Sequence, residues 1–400
     1  MKRENRLISL VAFMCLALLC NARTISTANE LYVLFKSTTE SVLNEDIDLA
    51  DDLDFQGIDV NASLGRESST MYTGRFNGNG HTINNLIIHS NNRTGLFFAC
   101  GNTTITDLVI GKNCSFTGFS AAGLCVKVFG SATFRRVTNK ANVTGNGVSA
   151  GGFIGEVCDL EPGRILFENC INEGTIRGQD YTGGFIGDVV SSDHKVIEFV
   201  DCTNHGTITE LKANSMRHGG IIGALIGCSN VSLSITNTVN NGSIEHGTEM
   251  GGFLGRVDEC DTTTILVKNS TNNGIVQVGD YLGGFIGSVL ANDDTYIIFI
   301  DSTNNGPISG SWGVAGFIGQ VSFEKEDQNT PETRFHITGC INNGRVDGSE
   351  SVGGFFGEVS YSGLLYNITQ SVNSGDVSGQ KKIGGFWFGG MPSWHDEPSG

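Results

Sequence analysis

The sequence is short of proline, of positive charge and of long apolar runs, and each shortage excludes something. Five prolines against 56 glycines leave no proline-rich linker. With 39% apolar residues, the chain is too hydrophobic for a disordered one and fits tightly turning, strand-rich structure. Lys and Arg total 25 against 42 Asp and Glu, a formal charge of −17; nucleic acid and anionic membrane surfaces are disfavoured as partners by that balance. No segment carries an i, i+3, i+4 apolar pattern long enough for a helical solenoid, and the fixed leucines of leucine-rich repeats are absent. There is no His-Glu-x-x-His, no Gly-x-Ser-x-Gly elbow and no phosphate loop, and the eight histidines are scattered without metal spacing. No cofactor is implied.

One apolar run stands out, Leu7 to Cys20, behind the basic Lys2, Arg3 and Arg6. It is too short for a membrane span and reads as a secretory signal over residues 1–22. The expectation is a secreted or cell-surface protein with no transmembrane segment after cleavage. Nine cysteines remain beyond the signal, an odd number that leaves at least one free thiol or an intermolecular bond if the rest pair. Nine Asn-x-Ser/Thr sequons, at Asn61, Asn92, Asn102, Asn113, Asn142, Asn230, Asn241, Asn269 and Asn367, are glycosylation candidates, although an Asn-, Ser- and Thr-rich repeat also generates sequons by chance.

What the sequence has in abundance is one motif. Gly151-Gly152-Phe153-Ile154-Gly155 recurs in near or loose copies with the second glycine at 152, 184, 220, 252, 284, 316, 354 and 385. The steps are 32, 36, 32, 32, 32, 38 and 31 residues, a solenoid or propeller period. An asparagine follows 20 residues after the second glycine in most units, as Asn172, Asn204, Asn240, Asn272 and Asn304, then Asn342 and Asn373. Each is followed two residues later by glycine, which is turn chemistry. Counting back from the Asn, positions −5 and −7 are apolar (Phe167 and Ile165, Phe199 and Ile197) while −6 and −4 are mixed; that is period-two alternation with one buried face. Three short, unequal strands per unit fit an all-β, right-handed parallel β-helix of about ten coils, roughly 50 Å long at the stacking rise. An N-terminal entry and capping segment is expected over 23–82, repeats over 83–390 and a tail over 391–400 that reads as cut short. In the entry segment, Leu31 to Phe35 looks β-prone.

Parity along the Gly-Gly-Phe strand predicts that Phe153, Phe185, Phe253 and their equivalents form an interior ladder. The same parity turns the next residue outward: Ile154, Ile186, Ile222, Leu254, Ile286 and Ile318, continued by Phe356 and Trp387, would form an apolar stripe. Such a stripe is an association face unless a corner loop or the N-terminal segment covers it, or the parity is out of phase and the residues are core. Glu156 and Asp188 share an outward position in adjacent coils, about 5 Å apart, the separation of a retaining glycosidase pair; a tolerant solvent column is the competing explanation. Asp258 and Asp261, with Asp293 and Asp294 one coil later, form a candidate calcium site or plain loop charge. Cys170 with Cys202, and Cys228 with Cys260, share repeat positions and are candidate coil-to-coil disulfides or stacked thiols. Longer loops are expected near 209–218 and 323–331.

These motifs resemble GLUG-type repeats, with their Gly-Gly-apolar-apolar-Gly core, and the lead-in Phe76-Asn77-Gly78-Asn79-Gly80-His81-Thr82-Ile83 belongs to the likeness. More loosely they are similar to the polymorphic membrane proteins of chlamydiae, although Phe167-Glu168-Asn169 is one residue shorter than the Phe-x-x-Asn of that group. Both resemblances imply secreted or surface-displayed proteins, often adhesive, and neither implies a catalytic site. The functional expectation is a non-catalytic protein binding an extracellular protein or glycan. The alternative is a carbohydrate-active β-helix, a polysaccharide lyase or glycoside hydrolase.

Overall fold

One coil shows how the repeat becomes structure. In the computed structural model, β1 (Ile171–Asn172) is a two-residue corner strand, β2 (Ile176–Gly178) and β3 (Tyr181–Gly183) follow, and β4 (Ile186–Val190) and β5 (Lys195–Val200) complete the turn. The coil thus holds five short strands where the periodicity suggested three. The Asn corner has its own strand, and the approach to Gly-Gly is a separate strand from the one after Asn-x-Gly. Each strand pairs in parallel with its equivalents above and below: Asn172 with Asn139 and Asn204, Ile186 with Ile154 and Ile222, Phe199 with Phe167 and Ile235. Stacking continues through about ten coils of about 32 residues, a parallel β-helix. The structure describes residues 22–37, 42–61, 63–64, 71–213, 215–290, 294–322, 334–360 and 365–386. The signal segment, Asp293, the loop 323–331, Trp387 and the tail lie outside these residues, apart from Ala22, with which the description begins.

Two side-chain ladders run up the interior. The corner asparagines are fully buried, and each Nδ2 donates to the Oδ1 of the next, Asn172 to Asn204, Asn204 to Asn240 and Asn240 to Asn272, all at 2.8 Å. The second amide proton goes to the glycine carbonyl two residues on, as from Asn240 to Gly242 at 3.0 Å. Every coil therefore satisfies its turn and its neighbour with one side chain. The second glycine of the motif lies against this ladder. A Cβ at Gly152 would sit 2.1 Å from the Gly184 carbonyl oxygen and 2.7 Å from Asn172 Oδ1, so no larger residue fits. Beside it the phenylalanines stack as expected, Phe153 on Phe185 at 4.8 Å and Phe285 on Phe317 at 4.8 Å between ring centroids. A second stack, Phe134, Phe167 and Phe199, meets the first edge-on.

The entry segment departs from its expected strand. Ala28–Ser37 is a helix, α1. Thr27 Oγ1 accepts from the Glu30 amide at 3.2 Å, and the Glu30 carboxylate accepts from the Ser26 and Thr27 amides at 2.8 and 3.1 Å. This capping box starts a helix whose Leu31, Leu34 and Phe35 fall on one buried face. Local β propensity loses to that i, i+3, i+4 burial. Phe35 packs on Phe97 and Tyr72 at 5.4 and 6.0 Å, covering the first aromatic layer.

Candidate functional site

The predicted apolar stripe is core. Ile154, Ile186, Ile222, Leu254, Ile286, Ile318 and Phe356 are all 0% exposed. The reason lies in the backbone. The amides of Phe153 and Ile154 both bond the Phe185 carbonyl, at 3.0 and 2.8 Å, and those of Phe185 and Ile186 both bond the Ile221 carbonyl. Gly152 and Phe153 form the bend between the strands Ser149–Gly151 and Ile154–Val157, with no shift of register between coils, and that corner breaks alternation. Phenylalanine and isoleucine consequently both point inward, and Phe356 meets the interior Phe335 edge-on at 5.7 Å. The following glycine is needed for a different approach: a Cβ at Gly187 would lie 2.5 Å from the Gly155 carbonyl and 3.0 Å from the Ala150 amide.

That close approach brings the position three before the second glycine against the position four after it, forming a polar seam along the rod. Lys127, Glu156, Asp188 and Arg256 line one side; Ser149, Tyr181, Arg217 and Glu249 line the other. Glu156 pairs with Lys127 at 3.3 Å and Arg93 at 3.5 Å. Higher up, Glu249 is gripped by Arg256 at 2.8 Å and Arg217 at 3.2 Å, Arg256 also holds Asp258, and the Arg217 guanidinium lies 5.1 Å from the centre of the Tyr181 ring. Glu156 and Asp188 are in register in adjacent strands, as expected. Their environments differ. Glu156 is partly exposed among cations, whereas Asp188 is 2% exposed and accepts from Ser149 Oγ at 2.9 Å, with its other oxygen unpartnered. Burial first, and then the Glu156 charge, push the Asp188 carboxyl up to about 8. The structure thus sets a buried carboxyl beside a partly exposed one held by cations, but seals the buried one away from any substrate. The outward column expected at this position is half buried, because the facing strand covers it.

The other expected sites disperse. Asp258 is held by Arg256, Asp261 accepts from its neighbour Thr262 at 3.0 Å, and Asp294 pairs with Arg334 at 3.3 Å; Asp293 lies outside the described residues. No cluster of three or more His, Cys, Asp or Glu with metal-ligand geometry occurs among the described residues. Among the described residues one disulfide is present, Cys100–Cys125, with Cα atoms 6.1 Å apart, and spacing did not reveal it because it joins two different repeat positions. The two predicted cysteine pairs stack as thiols in mutual contact and are not bonded. Their role is shared with hydroxyls: Cys202 Sγ, Ser270 Oγ and Ser302 Oγ each donate to the carbonyl two residues back. The corner asks for a small donor, and cysteine is one solution. All nine sequon asparagines are exposed.

A feature missed in the sequence is the outer face of β5 and its equivalents, Ser232–Thr236, Thr264–Lys268 and Tyr296–Ile300. Its outward columns stack Val196, Ser232, Thr264 and Tyr296, then Glu198, Ser234, Leu266 and Ile298, then Val200, Thr236, Lys268 and Ile300. Val196 is 39% and Tyr296 37% exposed, and most of the rest are half-buried. The second and third columns are the positions that read as mixed, because the repeat constrains only their inward neighbours.

No family model matches the chain. A 119-residue stretch, 29% of the chain, is 36% identical to halomucin of Haloquadratum walsbyi, of which it spans 1%. A crystal structure of a Bacteroides ovatus protein provisionally assigned as an immunoglobulin A1 protease shares 20% identity over 62% of this chain and 78% of its own, with a TM-score of 0.45. Both likenesses are too partial or too distant to carry a function.

Proposed function

We propose that the chain is a secreted or surface-displayed, non-catalytic binding rod whose partner is an extracellular glycan or protein. The observation that carries this reading is the outer face of β5 and its equivalents, where apolar side chains stand half-exposed on a strongly acidic protein. Scattered exposed apolar residues need no explanation, but here Leu266, Tyr296, Ile298 and Ile300 adjoin on two neighbouring strands, with Val196 and Val200 on the same face beyond the hydroxyl-bearing strand Ser232–Thr236, and a set gathered on one sheet face marks an interaction surface. Nine exposed sequons and the signal-like N-terminus support an extracellular location, as does the GLUG-type likeness of the repeats. For a polysaccharide-degrading β-helix the supporting observation is the Glu156–Asp188 pair; against it stands the burial of Asp188, since a general acid must touch the leaving oxygen. The test is an array of extracellular glycans and proteins probed with the purified mature protein. The reading expects a saturable ligand that the double variant V196K/Y296K fails to hold. A rod that binds nothing, or releases sugar or peptide fragments from what it binds, overturns it.

A further inference from the structure

Building on the binding-rod reading, we infer that the face of β5 and its equivalents takes an uncharged, linear polysaccharide laid along the rod. Charge is the first argument. Glu198 is paired with Arg164 across the coils, and Arg334 lies 4.9 Å from the centre of the Tyr296 ring while also pairing with Asp294. Lys268 is then the one unpaired charge on the face's four central strands. A chain of formal charge −17 repels a second copy of itself and any polyanion at close range. An uncharged polymer meets no such barrier.

Geometry is the second argument. The columns mix aliphatic and hydroxyl side chains at the stacking distance of a parallel sheet, about 4.8 Å, so a polymer laid along the rod axis meets both kinds of contact in every few coils. A pyranose chain has apolar C–H faces and hydroxyl edges. Val196, Ile298 and Ile300 offer surface to the first and Ser232, Thr236 and Thr264 hydrogen-bonding partners to the second, while Tyr296, whose hydroxyl and one ring face are taken by Arg334, adds the rest of its ring to the apolar surface. No sequon asparagine lies within the four central strands, although Asn230 and Asn269 stand just outside two of them, so N-glycans would be attached at the edges of this face and not on it.

The experiment is co-sedimentation of the mature protein with particulate cellulose, chitin and mixed-linkage β-glucan gel, with polygalacturonate gel as the anionic arm. Wild type is expected to pellet with at least one uncharged polymer and not with polygalacturonate. V196K/Y296K should lower the retained fraction at least tenfold, while V33K/I87K, which adds the same charge at exposed apolar sites elsewhere, should not. Melting curves establish that both variants fold; if V196K/Y296K does not, V196S/Y296S is read in its place. Retention on none of the uncharged polymers, preference for polygalacturonate, or equal loss in both double variants would each overturn the inference. If the array finds a protein or anionic glycan while the uncharged polymers hold nothing, the binding-rod reading survives and this inference alone fails.

Discussion

Two titratable side chains occupy positions where their charge is penalised, with opposite consequences for pH. Asp188 has a folded-state value of about 8 against roughly 3.9 in an unfolded chain. Between those values the folded protein holds the extra proton, so stability falls as pH rises through that window. Asp188→Asn should flatten this decline and raise the melting temperature more at pH ~9 than at pH ~5; an equal gain at both would show that the carboxyl is ionised when folded. His218 is 0% exposed with neither ring nitrogen bonded, and burial holds it down at about 3. Here the unfolded state binds the proton first, so stability falls as pH drops below about 6.5. The next coil places Met250 in register with it. His218→Met should therefore stabilise the rod by about 1–2 kcal/mol at neutral pH and more in acid, as measured by chemical denaturation at pH ~7 and ~5.

At the scale of the element, the repeat motif is wholly structural. Asn272 accepts from Asn240 and donates to Asn304 and Gly274, so Asn272→Ala strands three buried polar groups. A loss of about 3 kcal/mol or more is expected, whereas Asn273→Ala, one residue along on the exposed corner ladder, should cost under about 1 kcal/mol. These ladders were legible because repetition makes each column visible as a column: glycine where backbones touch, asparagine where a corner stacks, phenylalanine where rings stack. The stripe was misplaced because alternation was extended across residues Phe153 and Ile154, where the chain turns a corner. That corner has no sequence signature beyond the glycines flanking it. α1 was missed for a related reason, since five apolar residues in a row fit a strand and a buried helical face equally well, and the capping box at Thr27 and Glu30 was the signal that would have decided it.

For the whole molecule, the period predicted a stacked parallel β-helix, and that architecture is observed. Surface chemistry was far less legible. A repeat fixes inward positions in every coil and leaves outward ones free to vary, so Val196, Ser232, Thr264 and Tyr296 share a column without sharing a residue type. Only the register, once known, shows that they stand together, and only burial shows that Asp188 is beyond a substrate's reach. The apolar residues therefore fall into two sets, those that build the rod and those it presents.

Paired melting experiments test that division most directly. The double substitution Ile186→Ser with Ile286→Ser creates two buried cavities lined by apolar groups and should cost about 3–5 kcal/mol at each site, enough to abolish cooperative unfolding near room temperature. Val196→Ser with Tyr296→Ser, on the outer face, should leave the transition within a few degrees of wild type. A variant of the first kind that melts like wild type, or one of the second kind that unfolds, would contradict the assignment of core and contact face.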